Sequence, residues 1–558
     1  VEHDPQVMIA ADRIIDVGPG PGERGGRIVF DGSPEALKNA TTLTGKYMGG
    51  QLKVEAPRPL PVTSSTPRLL LEGVTANNLK NISIEVPLGR LVCVTGVSGS
   101  GKSTLIQDVL YPGLLKIQGK PTEAPGAFDR ILGAEQIADV VMVDQTPIGK
   151  TARSNPASYV GAFDPIRKLF AQAPLARERG YTTGTFSFNS GDGRCPTCGG
   201  TGFEHVEMQF LSDVYIRCPD CDGKRFRPEV REVEVEHLGR RASIDAVLDM
   251  TVSEALEFFK GLRDVQLGLA PLEDVGLEYV KLGQPVPTLS GGEAQRLKLA
   301  GHLAEAARSG ISTTKLAKKG SLFLFDEPTT GLHFDDVSRL MRAFRKLLGA
   351  GHTLLIIEHN LDVIRAADWV IDLGPEGGDA GGELIAAGTP EDIMQNPRSH
   401  TGSALQEYAK AMTPEAISAV LTTGSTQTTR LTTEEPSKGR SLQTVLKEKR
   451  RFSESIDILH AREHNLKNVS VSIPHDKFTV ITGVSGSGKS TLAFDILFNE
   501  GQRRYLESLN AYARAIVQPA GKPDVDAIFG IPPTVAIEQR TSRGGRKSTV
   551  ATMTEIHH

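Results

Sequence analysis

Short apolar runs recur along the chain, and glycine, polar or acidic residues follow each of them. The runs at 91–94, 140–143, 322–325 and 353–357 have no polar alternation, which is typical of strands buried on both faces. Residues 69–86 instead alternate apolar and polar positions around Asn77-Asn78, which predicts two strands joined by a turn. The pattern therefore predicts an α/β fold in which polar loops follow buried strands.

Two internal repeats organise the chain. Glu2-His3 and the residues up to Pro34 recur from Glu358-His359 at a constant offset of 356, and residues 78–104 recur as 465–491 at an offset of 387. We therefore expect a module tail at 1–50, a linker at 51–68, a complete module at 69–397, a linker at 398–454 and a module head at 455–558. An insertion from about 115 to 285 would interrupt the complete module.

Composition excludes little beyond a membrane protein. The 558 residues are 39% hydrophobic and 23% charged, which is ordinary for a globular protein of several domains. The net charge of −4 means that any nucleic-acid surface would be a local patch. No apolar run approaches the ~20 residues of a membrane span, and no signal peptide is visible. We expect a cytoplasmic protein.

A glycine-spaced loop follows the first buried strand and reads V-T-G-V-S-G-S-G-K-S-T at 94–104. Its glycines allow successive backbone N–H groups to face phosphates, Lys102 adds a positive charge, and the Ser103 hydroxyl can bind Mg²⁺. The predicted nucleotide-binding residues are Gly96, Ser98, Gly99, Gly101, Lys102, Ser103 and Thr104, and those of the second copy are Gly483, Gly488, Lys489, Ser490 and Thr491.

The ends of the other buried strands carry candidate catalytic groups. Asp326 is placed to hold Mg²⁺ through water, Glu327 to orient the attacking water, and His359 to contact the γ-phosphate. Gln145 can contact the metal or the water, although a surface glutamine is the alternative. Ser290, Gly291 and Gly292 open a helix and form a further anion site.

Four cysteines form two C-x-x-C pairs, Cys195/Cys198 and Cys218/Cys221. This spacing predicts a closed, structural Zn²⁺ site, because a cytoplasmic chain disfavours the alternative of disulfides. Cys93 lies in a buried strand and is expected to be a core residue. Basic residues around the cysteines could face a phosphate backbone, but interleaved acidic residues leave an ordinary solvated surface equally open: Arg194, Arg217, Lys224, Arg225 and Arg227.

The order of phosphate loop, L-S-G-G-E, D-E-P and E-H resembles that of ABC-type ATPases. More narrowly, F-S-F-N at 186–189, L-S-G-G-E-A-Q-R at 289–296 and D-E-P-T-T-G-L-H-F at 326–334 resemble the second half of the UvrA family. Residues after 455, including the run at 492–514, resemble the first half of that family. The simplest interpretation is a window on a tandem UvrA-like protein.

The resemblance implies an ATP- and Mg²⁺-dependent protein of nucleotide excision repair that recognises damaged double-stranded DNA. It implies ATP held between one module's phosphate loop and another module's L-S-G-G-E, in a homodimer or by intramolecular pairing of modules. His3 matches the switch histidine of the first module, and Gln539 joins Lys489 in the further module. The resemblance leaves a UvrB-like partner open, because the region that binds UvrB in the family has no match in this chain.

Two other classes of protein are alternatives to this interpretation. A soluble ABC ATPase of drug resistance or transport remains an alternative, although the cysteine-rich insertion argues against an ordinary transporter subunit. A chromosome-organising ATPase would need long heptad repeats, and none is visible. No phosphate loop has both its own catalytic glutamate and the signature of its usual partner half, so ATP hydrolysis by this chain alone is expected to be very low.

Overall fold

A computed structural model describes residues 1–54, 59–145, 148, 153–206, 214–309, 319–411, 454–508 and 522–537. The chain divides into two compact units, one of residues 1–142 and 315–536 and the other of residues 143–314 and 537–558. Among the described residues, no helix combines the length and the apolar character needed to cross a bilayer.

The complete module is built on a six-stranded sheet in the first unit. Its central four strands are parallel, and an antiparallel strand closes one edge. In sheet order the strands are Glu383–Gly388, Trp369–Gly374, Leu91–Gly96, Thr353–Ile357, Leu322–Asp326 and Val140–Val143. All four apolar runs of the sequence therefore form strands, and the α/β prediction is confirmed.

Helices and a second sheet cover this central sheet. The helix after the phosphate loop is a π-helix over Thr104–Leu110 that continues as an α-helix over Tyr111–Ile117. The other helices are Phe334–Gly349, Leu361–Ala366, Pro390–Gln395 and His400–Ala411, with 3₁₀ turns at Ala134–Gln136 and Gly378–Ala380. The second sheet is antiparallel, in the order Ile82–Pro87, Arg68–Val74 and Arg130–Leu132. Leu71, Val94, Leu105, Leu324 and Leu355 are fully buried in one core.

The two partial repeats fold with each other. Strand Arg13–Gly18 from the tail pairs in parallel with strand Thr479–Thr482 from the head, and antiparallel with Arg27–Gly32. Asp16 lies opposite Thr482, just as Asp372 lies opposite Thr95 in the complete module. We call the described residues of 1–50 and 454–536 the composite core.

The hydrogen bonds between the tail and the head also match those within the complete module. The Glu2 N–H donates to Ile481 O, as the Glu358 N–H donates to Val94 O. The Asn465 side chain donates to Gly22 O and Gly486 O, as Asn78 donates to Gly378 O and Gly99 O. The tail and the head thus rebuild the geometry of the complete module from distant parts of the chain.

The remaining elements of the composite core are short. The tail contributes the helices Pro5–Ile9, Pro34–Lys38 and Leu43–Met48 and a 3₁₀ turn at Gly22–Arg24. Ser33 caps the helix Pro34–Lys38, because its Oγ accepts the Ala36 N–H. The head contributes an antiparallel sheet in the order Val469–Pro474, Ser455–Ala461 and Ala527–Phe529, the π-helix Thr491–Phe498 and the helix Asn499–Ser508.

The second unit is mainly helical. Its helices are Pro156–Tyr159, Phe163–Gln172, Pro174–Glu178, Pro228–Arg231, Ile244–Asp249, Val252–Phe258, Arg263–Asp274 and Gly291–Ser309, with a 3₁₀ turn at Val286–Thr288. Two antiparallel strand pairs are Phe203–Val206 with Val214–Arg217 and Glu234–His237 with Arg240–Ser243. The boundaries between the units fall at 142/143 and 314/315 in the sequence. The second unit therefore begins and ends later than the predicted insertion at 115–285, and it includes the L-S-G-G-E helix.

One predicted linker is partly wrong. Residues 398–411 belong to the complete module, because the Ser399 hydroxyl donates to buried Asp372 at 2.6 Å and the helix His400–Ala411 follows. Local composition did not reveal this contact with a distant strand. The rest of that predicted linker, residues 412–453, lies outside the described residues, as do Gln539 and residues 538–558.

Replacing Ile15 with alanine tests the joint between tail and head. Ile15 is fully buried opposite Ile481, so we expect the unfolding free energy to fall by about 2–4 kcal/mol. Denaturant unfolding measures this, with Ile9→Ala as the control because Ile9 is 48% exposed. Equal stability of the two variants would contradict the paired strands.

Candidate nucleotide-binding and metal sites

The phosphate loop of the complete module needs glycine at its first position. Gly96 has φ 128°, and a Cβ there would lie 1.9 Å from Leu373 O on the neighbouring strand. Gly99 and Gly101 also have positive φ angles. Ser98 and Ser103 are exposed, and the Thr104 hydroxyl lies 3.1 Å from Asn77 Nδ2, which donates to it. The loop therefore takes a conformation that needs glycine and leaves Ser98 and Ser103 exposed.

Lys102 is held inside this loop. Its Nζ donates to Gly96 O at 2.9 Å and to Val97 O at 2.8 Å. Burial lowers the pKa of Lys102, whereas the nearby carboxylates of Glu327, Asp372 and Asp326 act in the opposite direction. The ammonium group is thus positioned beside acidic groups at the carboxyl ends of the parallel strands.

The predicted acidic and histidine residues gather at the same edge. Asp326 Oδ2 accepts a hydrogen bond from Gln107 Nε2 at 2.6 Å, and Glu327 Oε1 lies 3.7 Å from His359 Nε2. Glu327 has φ 42°, an uncommon value for a residue other than glycine. Burial and Lys102 lower the pKa of His359, so the imidazole is neutral near pH 7.

Glu358 supports this arrangement and was not identified as a site residue from the sequence. Its buried carboxylate accepts from the backbone N–H of Thr329, His359 and Asn360, at 2.8 to 3.0 Å, and from the Thr329 hydroxyl. It therefore ties the turn that carries His359 to the segment that follows Glu327. An acidic residue at the end of a buried strand, directly before the histidine, was the available signal.

The other predicted residues of this site lie in the second unit. Ser290 and Glu293 cap the helix Gly291–Ser309 reciprocally, since each side chain accepts the other residue's backbone N–H. Tyr279 Oη also donates to Glu293, at 2.5 Å. A Cβ on Gly291 would lie 3.5 Å from Gln145 Oε1, so Gln145 lies next to the L-S-G-G-E turn. A Cβ on Gly292 would have no other atom within 4 Å.

The composite core brings His3 to the second phosphate loop. His3 Nδ1 lies 3.1 Å from Thr482 Oγ1, and Lys489 Nζ donates to Gly483 O and Val484 O at 2.8 Å each. Gly483 and Gly488 have positive φ angles, while Ser490 is exposed and Thr491 is buried. His3 and Lys489, expected in separate modules, thus lie in the same core.

The two cores also touch each other. The Ser485 N–H of the second phosphate loop donates to Asp336 Oδ2 at 2.9 Å, and Thr44 Oγ1 lies 3.1 Å from His333 Nε2. The ring of His333 meets the ring of His3 edge-on, with centroids 5.8 Å apart. The segment that follows Glu327 therefore contacts the composite core as well as its own site.

The predicted zinc ligands form one cluster in the second unit. The sulfur atoms of Cys195, Cys198, Cys218 and Cys221 all lie within 4.8 Å of one another. Cys198 Sγ and Cys221 Sγ are 3.7 Å apart, which excludes a disulfide of about 2.05 Å and matches the edge of about 3.8 Å in a zinc–thiolate tetrahedron. The Gly202 N–H donates to Cys198 Sγ. The donor set therefore fits Zn²⁺.

The predicted basic patch is only partly exposed. Arg225 is 2% exposed, lies over the ring of Phe188 and donates to Gly283 O at 2.9 Å, so it is on neither the phosphate-facing surface nor the solvated surface that the sequence left open. Burial lowers the pKa of Arg225 to about 10. Arg194 donates to backbone carbonyls of its own loop. Arg217, Lys224 and Arg227 are exposed.

The chain has two buried cores, each with parallel strands and a phosphate loop. The first core also has Asp326, Glu327 and His359, and an L-S-G-G-E helix belongs to the same module in sequence. This combination defines the fold of an ABC-type P-loop ATPase. No protein-family model matches the chain. The chain is 50% identical over 394 residues to UvrABC system protein A of Thermus thermophilus, covering 70% of this chain and 40% of that protein. It is also 50% identical over 409 residues to the protein of the same name from Clostridium perfringens, covering 73% and 42%.

The chain is also similar to a solved structure of the same family. The structure of UvrA2 from Deinococcus radiodurans has a TM-score of 0.65 and 44% sequence identity, and the match covers 73% of this chain and 47% of that one. The chain belongs to the UvrA family. It spans about 40% of the length of the curated relatives it matches.

The His333 contact predicts a pH dependence of stability. Burial lowers the pKa of His333 from 6.5 to about 4, although Asp336 acts in the opposite direction. The unfolded chain takes up this proton near pH 6.5 and the folded protein only near pH 4, so we expect unfolding free energy to fall by about 3 kcal/mol across that window. Denaturant unfolding at several pH values measures the slope.

His333→Asn is the control for this assignment, because asparagine does not titrate and still caps a helix. Its stability should fall less between pH 6.5 and pH 4 than that of the unchanged protein. Identical slopes for the two proteins would show that His333 does not remain neutral in the folded state.

Proposed function

We propose that this chain is the nucleotide-binding part of an ATP-dependent DNA-damage-recognition protein of nucleotide excision repair. The observation that carries the proposal is the gathering of Lys102, Asp326, Glu327 and His359 beside one phosphate loop. The identity to UvrABC system protein A supports the biological role, and it does not favour the transport alternative.

The site suits hydrolysis of a nucleoside triphosphate. Lys102 and the loop N–H groups would bind the phosphates, and Ser103 and Asp326 would hold Mg²⁺, which neutralises charge on the phosphates. Glu327 would orient the attacking water and His359 would hydrogen-bond the γ-phosphate. The neutral state of His359 suits this role, because a neutral imidazole keeps one donor and one acceptor nitrogen.

We further propose a second nucleotide site in the composite core. Lys489, Ser490, Thr491 and His3 would serve this site as Lys102, Ser103, Thr104 and His359 serve the first. The matching register of the paired strands supports this equivalence. Ser290, Gly291 and Gly292 would offer an anion site at the start of their helix, and Gln145 would contact the metal or the attacking water.

The proposed macromolecular partners are double-stranded DNA and, for the whole protein, UvrB. The exposed Arg217, Lys224 and Arg227 beside the cysteine cluster are the candidate phosphate contacts in this chain. Zn²⁺ would stabilise the two cysteine turns that position these side chains. A closed four-thiolate site leaves no position for a reacting water, so the metal would be structural.

DNA binding tests the proposal directly. We expect the chain with ATP to bind a fluorescent duplex, more tightly when the duplex carries a bulky adduct, and to lose affinity steeply as salt rises. Lys224→Ala should reduce the slope of log affinity against log salt by about 0.9. Fluorescence anisotropy between about 50 and 200 mM salt measures both quantities.

Lys477→Ala is the matched control, because Lys477 is an exposed lysine of the other unit. It should leave the salt slope unchanged. Absence of binding to either duplex, or an affinity that does not respond to salt, would contradict the proposed function.

Metal analysis tests the cysteine cluster separately. We expect one zinc per chain, and Cys221→Ser should release the metal and lower the melting temperature of the second unit, because metal binding is coupled to folding of such sites. Cys93→Ser is the control, since Cys93 is a buried cysteine of the first unit and is not one of the four clustered cysteines. Full zinc content in Cys221→Ser would contradict the assignment.

A further inference from the structure

Arg225 carries a positive charge inside the second unit. The residue is 2% exposed, and its guanidinium lies 5.2 Å from the centroid of the Phe188 ring. Burial lowers the pKa of Arg225 to about 10, which still leaves the side chain protonated at neutral pH. Because a buried cation is costly unless a negative charge lies close to it, the fold should supply an anion beside this guanidinium.

The cysteine cluster supplies that negative charge. The thiolates of Cys198 and Cys221 act on Arg225 and oppose the effect of its burial. The four cysteine sulfur atoms lie within 4.8 Å of one another, and four thiolates around one Zn²⁺ carry a net charge of −2. Cys195 and Cys218 are buried, so the charge of the cluster needs compensation as well. The cluster and the guanidinium thus each lower the cost of burying the other.

The backbone of Arg225 belongs to the cluster too. Its N–H donates to the Cys221 sulfur, and its carbonyl oxygen accepts the Cys195 N–H at 2.9 Å. On the other pair, the Gly202 N–H donates to Cys198 Sγ, and a Cβ on Gly202 would lie 2.9 Å from Arg225 Cγ. The stem of the side chain therefore packs against the turn of the first C-x-x-C pair, while the backbone forms part of the turn of the second.

The guanidinium connects this cluster to a segment far along the chain. Its Nη2 donates to Gly283 O at 2.9 Å. The Gly283 N–H donates to Leu248 O at 2.7 Å, and a Cβ on Gly283 would lie 2.9 Å from Leu248 Cβ. Gly283 is thus held through its N–H by Leu248 and through its carbonyl by Arg225.

Gly283 lies on the path into the L-S-G-G-E turn. It precedes Ser290 by seven residues, and a 3₁₀ turn spans Val286–Thr288 between them. We call residues 282–290 the approach segment. Since Arg225 contacts both the cysteine turns and this segment, a change at the cluster has a direct physical route to it.

We propose that Arg225 is the counter-cation of the zinc–thiolate cluster and that it couples zinc binding to the order of the approach segment. Metal binding keeps the cysteines deprotonated, the thiolates hold the guanidinium, and the guanidinium holds the Gly283 carbonyl. This inference rests on the proposed zinc site. It gives the metal a role beyond its own two turns, because the approach segment leads to the proposed anion site at Ser290.

Substitutions at this position separate charge from packing. Arg225→Met removes the charge and keeps a long unbranched side chain, whereas Arg225→Lys keeps the charge. Competition with a chromophoric chelator measures the zinc affinity of each protein. We expect Arg225→Met to bind zinc about 10- to 100-fold more weakly, the usual effect of losing a group that surrounds a metal site. Arg225→Lys should stay within about threefold of the unchanged protein, because the cation remains.

Arg241→Met is the matched control for zinc affinity. Arg241 is an exposed arginine of the same unit that pairs with Glu236 at the surface. Its replacement removes the same charge from the unit without touching the cluster, so zinc affinity should not change.

Hydrogen exchange followed by mass spectrometry tests the coupling. Chelation of zinc from the unchanged protein should speed exchange in the approach segment about tenfold, as expected for losing one buried hydrogen bond. In zinc-saturated Arg225→Met, exchange there should already be faster by a similar factor, and chelation should add little. The helix Arg263–Asp274 of the same unit is the internal reference and should exchange at its usual rate.

Unchanged zinc affinity in Arg225→Met, or an equal loss in Arg225→Met and Arg225→Lys, would overturn the counter-cation role. Additive effects of chelation and Arg225→Met, or equal acceleration in the reference helix, would overturn the coupling. Absence of zinc from the unchanged protein would overturn the proposed zinc site and the inference with it.

Thermal melting of each variant identifies loss of fold. If Arg225→Met does not fold, Arg225→Gln replaces it, because glutamine is also uncharged but keeps a donor for a carbonyl. A variant that melts like the unchanged protein with zinc in excess, and still binds zinc more weakly, supports the inference. Unchanged zinc affinity in Arg225→Gln would overturn it.

Discussion

The parallel pairing of Arg13–Gly18 with Thr479–Thr482 is the contact on which the second core depends. Closing so long a loop costs little more entropy than closing a shorter one, because the cost grows with the logarithm of loop length. Burial of Ile15, Ile458 and Ile481 in one apolar core offsets it. Once the strands are in register, His3 from one piece and Lys489 from the other come to the same site.

The strands and the loops that follow them could be predicted from the sequence because their signals are local. Wholly apolar runs indicated the central sheet, and glycine spacing indicated both phosphate loops. The pairing of tail with head could not be predicted in this way, because the partner of a strand is set by distant residues. The repeats gave the equivalence of His3 with His359 without showing which phosphate loop His3 would join. The tandem organisation stays a prediction.

Burial explains the other differences between expectation and structure. Arg225 and Lys224 are adjacent basic residues that the sequence does not distinguish. Of the two, Arg225 is the one that packs on an aromatic ring and donates to a backbone carbonyl. Ser399 looked like the start of a linker until its contact with Asp372 was known. Glu358 follows a buried strand in the sequence, but only the structure shows that its buried carboxylate orders the turn that carries His359. Such roles depend on what surrounds a side chain in three dimensions.

The two cores are the basis of the two related but unequal nucleotide sites that we propose. Asp326, Glu327 and His359 surround the first loop, and His3 and Thr482 lie at the second. Contacts of Asp336 and His333 with the composite core join the two within one compact unit. The residues around Glu327 are thus constrained from both sides, which provides a physical route by which the occupancy of one site can affect the other.

Equilibrium dialysis with a non-hydrolysable ATP analogue tests the central claim that one chain contains two nucleotide-binding cores. The account predicts two analogue molecules per chain at saturation, and one when either Lys102 or Lys489 is replaced by alanine. A saturation value of one for the unchanged chain, unaffected by Lys489→Ala, would contradict it.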